Sequence, residues 1–160
     1  MTDIGFIGLG IMGRPMAGHL QSAGHKIHTV THRSPVPQEL TDGGAVECAN
    51  LHEVAEKSDV VIVMGPDTPD VETVLFGADG VAEGLSAGKT VIDMSSISPI
   101  ETKKFAARIN EQGCDYLDAP VSGGEVGAKA GTLTIMVGAE PAAFEAARPL
   151  FEIMGQNITL

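Results

Sequence analysis

Three glycines spaced Gly8-x-Gly10-x-x-Gly13 follow the apolar run Ile4 to Ile7 without a break, and Pro15 lies early in the helix-like stretch that comes next. This succession of strand, bare turn and helix suits an anion. Gly8 permits the tight turn, Gly10 lets the main chain approach a pyrophosphate, and Gly13 lets the helix pack close to the strand. Leu9, Ile11 and Met12 fill the positions between them. The helix start adds free N–H groups and a partial positive charge. The pattern therefore points to a dinucleotide site. The plainer alternative is a glycine-rich turn that only packs a helix on a sheet.

A site that prefers NAD usually carries an Asp or Glu about 20 residues past the glycines, bonded to the ribose 2′-hydroxyl. No acidic residue occurs between Asp3 and Glu39, whereas Arg14, Lys26 and Arg33 do. Arg33 and the Ser34 hydroxyl suit a 2′-phosphate, because a guanidinium holds phosphate through paired, charge-assisted bonds. NADP(H) is thus the favoured cofactor and NAD(H) the second choice. The alternative for Arg33 is a solvated turn residue.

Three further segments fall at strand ends, where open α/β sheets bind ligands: Met64-Gly65-Pro66-Asp67, Ser95-Ser96 and Ser122-Gly123-Gly124. A hydroxyl followed by two bare peptide units can offer several donors to a carboxylate; an ordinary turn is the alternative. Metal binding is not expected. His25, His28 and His32 span a strand and its turn, which scatters side chains to both faces, and no Cys-x-x-Cys or His-Glu-x-x-His accompanies them. No nucleophile elbow Gly-x-Ser-x-Gly occurs. Lys103 and Lys104 fall on a helix and Lys129 in a glycine-rich loop, so they read as surface.

The elements that must position these groups alternate between strand and helix, the mark of a parallel sheet covered by helices. Strands are expected at Ile4–Ile7, Lys26–Thr31, Ala45–Cys48, Asp59–Met64, Thr90–Met94, Tyr116–Val121 and Thr132–Val137, with the opening of another at Ile158–Leu160. Asn50 and Glu53 have capping-box spacing, and Ser98-Pro99-Ile100-Glu101 marks the clearest helix start. A last helix runs from about Pro141 to Met154, closed by Gly155. The fold class is a Rossmann-like, doubly wound α/β domain covering residues 1–160, with a mainly parallel sheet and helices on both faces. A net charge of −11 argues against nucleic acid and anionic membrane partners. Two cysteines outside any motif and no leader read as a cytoplasmic protein.

Four stretches resemble the β-hydroxyacid dehydrogenase family, whose members include 3-hydroxyisobutyrate dehydrogenase. They are Phe6 to Met16, Asp93 to Thr102, Asp118 to Gly124 and Gly131 to Gly138. The Asp118-Ala119-Pro120-Val121-Ser122-Gly123-Gly124 stretch is the most specific. The resemblance implies an NAD(P)H-dependent reductase of a small anionic aldehyde or hydroxy acid, with semialdehydes of several lengths as alternatives. It implies that Gly8, Gly10, Met12 and Gly13 hold the pyrophosphate and that Met64, Gly65 and Pro66 line the adenosine side. It sets Ser96 near the nicotinamide ribose, with Ser122, Gly123 and Gly124 on the substrate. Gly65 departs from the bulkier apolar residue expected there. The family's catalytic lysine belongs to a glycine motif on a later helix that opens an all-helical domain, beyond Leu160, so no catalytic residue is expected in this chain. The chain reads as the cofactor domain of a longer enzyme, a homo-oligomer when complete, with an exposed apolar patch near its carboxyl end. A stand-alone, non-catalytic nucleotide-binding module is the reading from another class.

Overall fold

The computed structural model describes residues 2–31, 35–65 and 67–160. In chain order the elements are β1 (Asp3–Ile7), α1 (Gly13–Ser22), β2 (Lys26–Thr29), α2 (Gln38–Asp42), β3 (Val46–Glu47), α3 (Leu51–Lys57), β4 (Val60–Val63), α4 (Thr68–Phe76), α5 (Val81–Gly84) and β5 (Thr90–Asp93). Then come α6 (Pro99–Glu111), β6 (Asp115–Asp118), β7 (Val121–Ser122), α7 (Gly124–Ala130), β8 (Leu133–Met136), α8 (Pro141–Met154) and β9 (Gly155–Thr159). Six strands form one sheet in the order β3-β2-β1-β4-β5-β6, every neighbouring pair parallel. From β1 the chain moves outward through β2 and β3, then returns to β4 on β1's other side. That reversal opens a crevice at the carboxyl ends of β1 and β4.

Side chains alternate across each strand, so the sheet feeds two cores. Ile4, Phe6, Ile62, Ile92 and Leu117 face α1 and α8, meeting Met16, Leu20 and Phe151. Ile7, Val61, Val63 and Val91 face the other way, toward Val54, Val71, Leu75 and Phe105 of α3, α4 and α6. β4 is buried on both faces, as its run of β-branched residues requires. Half of the expected capping box at α3 forms: Glu53 N–H donates to Asn50 Oδ1 at 2.8 Å, but Glu53 Oε1 accepts from Ala49 N–H, at 3.3 Å, one residue ahead of the N-cap.

The structure departs from the expected elements at four places. Tyr116–Val121 is not one strand: β6 ends at Asp118, and after Ala119-Pro120 the chain starts β7 in a second sheet, ordered β7-β8-β9. Proline has no N–H to give a ladder, which suits it to this corner. Asp118 and Gly138 bridge the two sheets. Lys129 lies in the last turn of α7, 3.6 Å from Glu125, and not in a loop. Gly155 does close α8, but β9 begins at that residue, ahead of Ile158. Pro99 begins α6 as expected, yet the Ser98 side chain makes no capping bond. Instead, Ser98 N–H donates to Thr68 Oγ1 at 3.1 Å, tying α6 to α4. Near the carboxyl end Met136 and Leu160 are exposed, at 63% and 57%. Among the described residues no helix is long and apolar enough to cross a membrane.

Candidate functional site

The β1–β4 crevice is a cleft of about 430 Å³. Gly8, Leu9, Gly10, Ile11, Met12 and Gly13 form one wall, Met64 and Gly65 another, and Val30 lies at the β2 end. Each glycine of the first turn has its own physical reason. Gly8 has φ +104°, and a Cβ there would overlap the Met64 carbonyl oxygen. A Cβ on Gly13 would overlap the Gly8 carbonyl, so α1 could not sit so close to β1. Gly10 differs: an added Cβ would meet nothing within 4 Å. No atom among the described residues requires glycine at that position, and the space beside it borders the cleft. The helix start suits a pyrophosphate, since the first turn of α1 carries no acidic residue; the Arg14 and Met16 N–H groups already donate to Gly10 O and Met12 O, at 3.0 and 3.3 Å, so the amides left for an anion are those of the turn ahead of Arg14.

The opposite wall is fixed from within the protein. Met64 N–H donates to Ile7 O at 2.8 Å, joining the two strand ends. Gly65 N–H donates to Ser95 Oγ at 2.7 Å. A Cβ on Gly65 would lie 3.1 Å from Val71 Cγ2, which explains why a bulkier residue is absent there. Ser95 is buried and Ser96 is exposed, so of this pair Ser95 braces the cleft while Ser96 stands free of its lining. Arg33, Ser34 and Pro66 lie outside the described residues.

Ser122, Gly123 and Gly124 are exposed where β7 turns into α7. Gly123 has φ +132° and Gly124 φ +59°, conformations that side chains disfavour. These residues do not line the β1–β4 cleft. They connect to it through a buried group that the sequence reading did not single out. Asp93, at the end of β5, is wholly buried. Its Oδ1 accepts from Ser95 N–H at 3.0 Å and its Oδ2 from the Tyr116 hydroxyl at 2.9 Å. Its backbone carbonyl accepts from Ala119 N–H at 2.7 Å, three residues before Ser122. One residue thus links the turns after β4, β5 and β6. Its legible signal is a lone Asp inside an otherwise apolar strand, which must find donors if buried.

Burial pushes the Asp93 carboxyl upward, opposed by its Ser95 and Tyr116 donors. Burial also raises the Tyr116 phenol, and the Asp93 charge adds to that. Asp118 is pushed up to about 6, by burial first and then by Asp93. Tyr116 and Asp118 border a second cavity of about 570 Å³ between α6 and the start of α8.

Of the histidines that look grouped in sequence, His32 lies outside the described residues, and the other two are engaged within the protein. His28 Nε2 lies 3.0 Å from Asp3 Oδ1, and His25 Nδ1 accepts from Thr2 N–H at 3.1 Å. Ligand atoms of His52, Asp79 and Glu83 come within 4.8 Å of one another at the surface, outside the cleft lining.

Residues 3–160 match the family described as the NAD binding domain of 6-phosphogluconate dehydrogenase. The 2-hydroxy-3-oxopropionate reductase of Escherichia coli K12 is 59% identical over 157 residues, which are 98% of this chain and 53% of that protein. The 3-hydroxyisobutyrate dehydrogenase of Mycobacterium tuberculosis, solved with L-serine, superposes with a TM-score of 0.88 at 35% identity over 99% of this chain and 53% of its own. Psf3, solved with NADP+ and 2-OPP, superposes with a TM-score of 0.91 at 31% identity, over 98% of this chain and 55% of its own. The chain spans about half the length of the relatives it matches.

Proposed function

Because the chain belongs to the family of NAD-binding domains typified by that of 6-phosphogluconate dehydrogenase, we propose that it is the coenzyme domain of a reductase converting tartronate semialdehyde (2-hydroxy-3-oxopropanoate) to D-glycerate. The observation that carries the coenzyme reading is the Gly10 face of the cleft, where bare main chain borders space that no atom of the described residues fills. The substrate assignment draws on the 59% identity to the Escherichia coli 2-hydroxy-3-oxopropionate reductase, which exceeds the 35% to the Mycobacterium tuberculosis 3-hydroxyisobutyrate dehydrogenase. NADP(H) is the favoured coenzyme and NAD(H) the second. The lack of an acidic residue between Asp3 and Glu39 supports this order, and Arg33 and Ser34 are assigned to the 2′-phosphate.

In this reading the amides at the start of α1 bind the pyrophosphate, and Met64 and Gly65 shape the opposite wall. The bound nicotinamide supplies hydride for the aldehyde carbon. Ser122 and the amides of Gly123 and Gly124 hold the substrate carboxylate, and the two positive φ values turn those amides together. The developing alkoxide takes its proton from a lysine that the family resemblance places on a later helix. The 160-residue chain by itself therefore binds coenzyme without turnover.

Titration calorimetry of the chain with NADP+ and NAD+ tests the first half. Binding with NADP+ tighter is expected; a folded chain that binds neither overturns it. The second half is tested by joining the chain to the remaining half of the Escherichia coli 2-hydroxy-3-oxopropionate reductase. The chimera should reduce tartronate semialdehyde in preference to methylmalonate semialdehyde and succinic semialdehyde, while the chain alone should reduce none. Robust turnover by the chain alone overturns the placement of the proton donor.

A further inference from the structure

Arg14 is the residue immediately after the last glycine of the turn, and its N–H donates to Gly10 O at 3.0 Å. Its side chain does not run along the cleft. It reaches sideways to α2, where its Nε donates to Glu39 Oε1. Both side chains are about half exposed, 53% and 55%. The direction of this reach matters. α2 is the helix that follows β2, and Val30, just past the end of β2, lines the same cleft as Gly10 and Gly13. In a doubly wound sheet the adenosine ribose of a dinucleotide lies at the end of the second strand, where its 2′ substituent is read. Arg14 thus places a guanidinium on the 2′ side of the phosphate turn, and Glu39 is the carboxylate that occupies it.

We propose that Arg14 is a specificity-determining residue that binds the 2′-phosphate of the coenzyme, and that Glu39 competes with that phosphate for it. The inference rests on the coenzyme reading of the cleft. Glu39 takes no part in the usual acid-for-hydroxyl recognition, because its carboxylate is spent on Arg14. When a 2′-phosphate enters, Arg14 exchanges one anion for another of higher charge that accepts two parallel bonds. The exchange is easy because an exposed ion pair is only weakly held. With NAD(H), which has no 2′-phosphate, Arg14 stays on Glu39 and contributes nothing. The pair therefore tilts the site toward NADP(H) without excluding NAD(H). It does so in a chain whose net charge of −11 otherwise repels a tri-anionic ligand.

The test is titration of the chain and two variants with four probes: NADP+, NAD+, 2′-AMP and 5′-AMP. Arg14→Met keeps the aliphatic stem. It should weaken NADP+ and 2′-AMP by at least about ten-fold, the loss of a charge-assisted bond, and change NAD+ and 5′-AMP less than two-fold. Glu39→Gln releases Arg14. It should tighten NADP+ and 2′-AMP by about two- to five-fold, the size of an exposed pair, with the gain shrinking in high salt. Equal effects of Arg14→Met on all four probes, or no effect on any, overturn the proposal while leaving the cleft assignment intact. Unchanged or weaker 2′-AMP binding by Glu39→Gln overturns the competition. A wild-type chain that binds no coenzyme removes both the cleft assignment and this inference. Thermal melts of both variants should match the wild type, since neither side chain is buried.

Discussion

Gly10→Ala separates the two reasons for which a turn can be rich in glycine. If Gly10 serves packing, an added methyl must strain the fold; if it serves a ligand, the methyl must leave the fold alone and block binding. Among the described residues an added Cβ has no neighbour within 4 Å, and Gly10 is not among the glycines with positive φ. The variant should be as stable as the wild type or slightly more so, by about 0.4–1 kcal/mol, because alanine restricts the unfolded chain. In a domain of this size that shifts Tm upward by about 1–4 °C. Binding should respond in the opposite sense. The methyl keeps the phosphate from approaching the main chain, so about one charge-assisted N–H bond is lost, roughly 1.5–3 kcal/mol. At about 1.4 kcal/mol per factor of ten, NADP+ should bind about 10- to 150-fold more weakly. Calorimetric titration and a thermal melt on the same preparation read both quantities. Gly8→Ala is the contrast: with φ +104° and the Met64 carbonyl in the way, it should cost stability itself, by more than about 2 kcal/mol. Wild-type affinity in Gly10→Ala, or a lowered Tm, refutes the reasoning that the open face of this turn is kept for a ligand.

Three further outcomes follow from the buried network. Tyr116→Phe removes a 2.9 Å donor from the buried Asp93 carboxylate and should lower stability by about 1.5–3 kcal/mol in urea unfolding at neutral pH; a change below about 0.5 kcal/mol counts against the network. Asp118 titrates near 6 in the folded chain, above its unfolded value near 3.9, so its contribution is fully present below pH about 4 and lost as pH rises through 6. Asp118→Asn should therefore match the wild type at pH 4 and exceed it at pH 7.5 by about 1–2 kcal/mol, and an equal difference at both pH values refutes the assignment. Ser95→Ala strips the acceptor from Gly65 N–H; NADP+ affinity should fall by about three- to ten-fold, and unchanged affinity would show that the far wall needs no brace.

The parts of this molecule legible in sequence are those set by local chemistry. The Asn50 cap on Glu53 N–H, Pro99 at the head of α6 and the alternation on β1, β4 and β5 all act within a few residues, and each is found where the spacing put it. The glycine turn was legible for the same reason at Gly8 and Gly13, whose demands for the tight turn and for close helix packing are met within six positions. What was not legible depends on distant partners. Tyr116 to Val121 has the composition of a single strand, and only the bridge from Asp118 to Gly138 shows why it must break there. Ser95 and Ser96 are indistinguishable in type, and only the fold shows that Ser95 is the buried one, bonded to Gly65 N–H. α7 hid behind its glycines, because Gly124 and Gly127 lower helix propensity, and Leu133 packing against Gly127 restores the balance.

Asp93 also explains why a charge is kept where an apolar residue would pack more cheaply. Replacing a buried ionic group by a hydrophobe often costs nothing in stability. A valine at this position would continue the β5 ladder and keep the backbone bond from Ala119, but it would leave Ser95 N–H and the Tyr116 hydroxyl without an acceptor and unfasten the turn after β5 from β6. The carboxylate thus ties Ser95, whose hydroxyl holds Gly65 of the cleft, to Tyr116 of β6, the strand that runs on toward the proposed substrate residues Ser122 to Gly124. Hydride transfer needs its two reactants at a fixed separation. A buried carboxylate with directed bonds can hold that spacing, whereas apolar contact, which is not directional, allows the two turns to slide. The same logic assigns the cost: part of it falls on Asp118, whose carboxyl is pushed up to about 6 by burial first and then by the Asp93 charge.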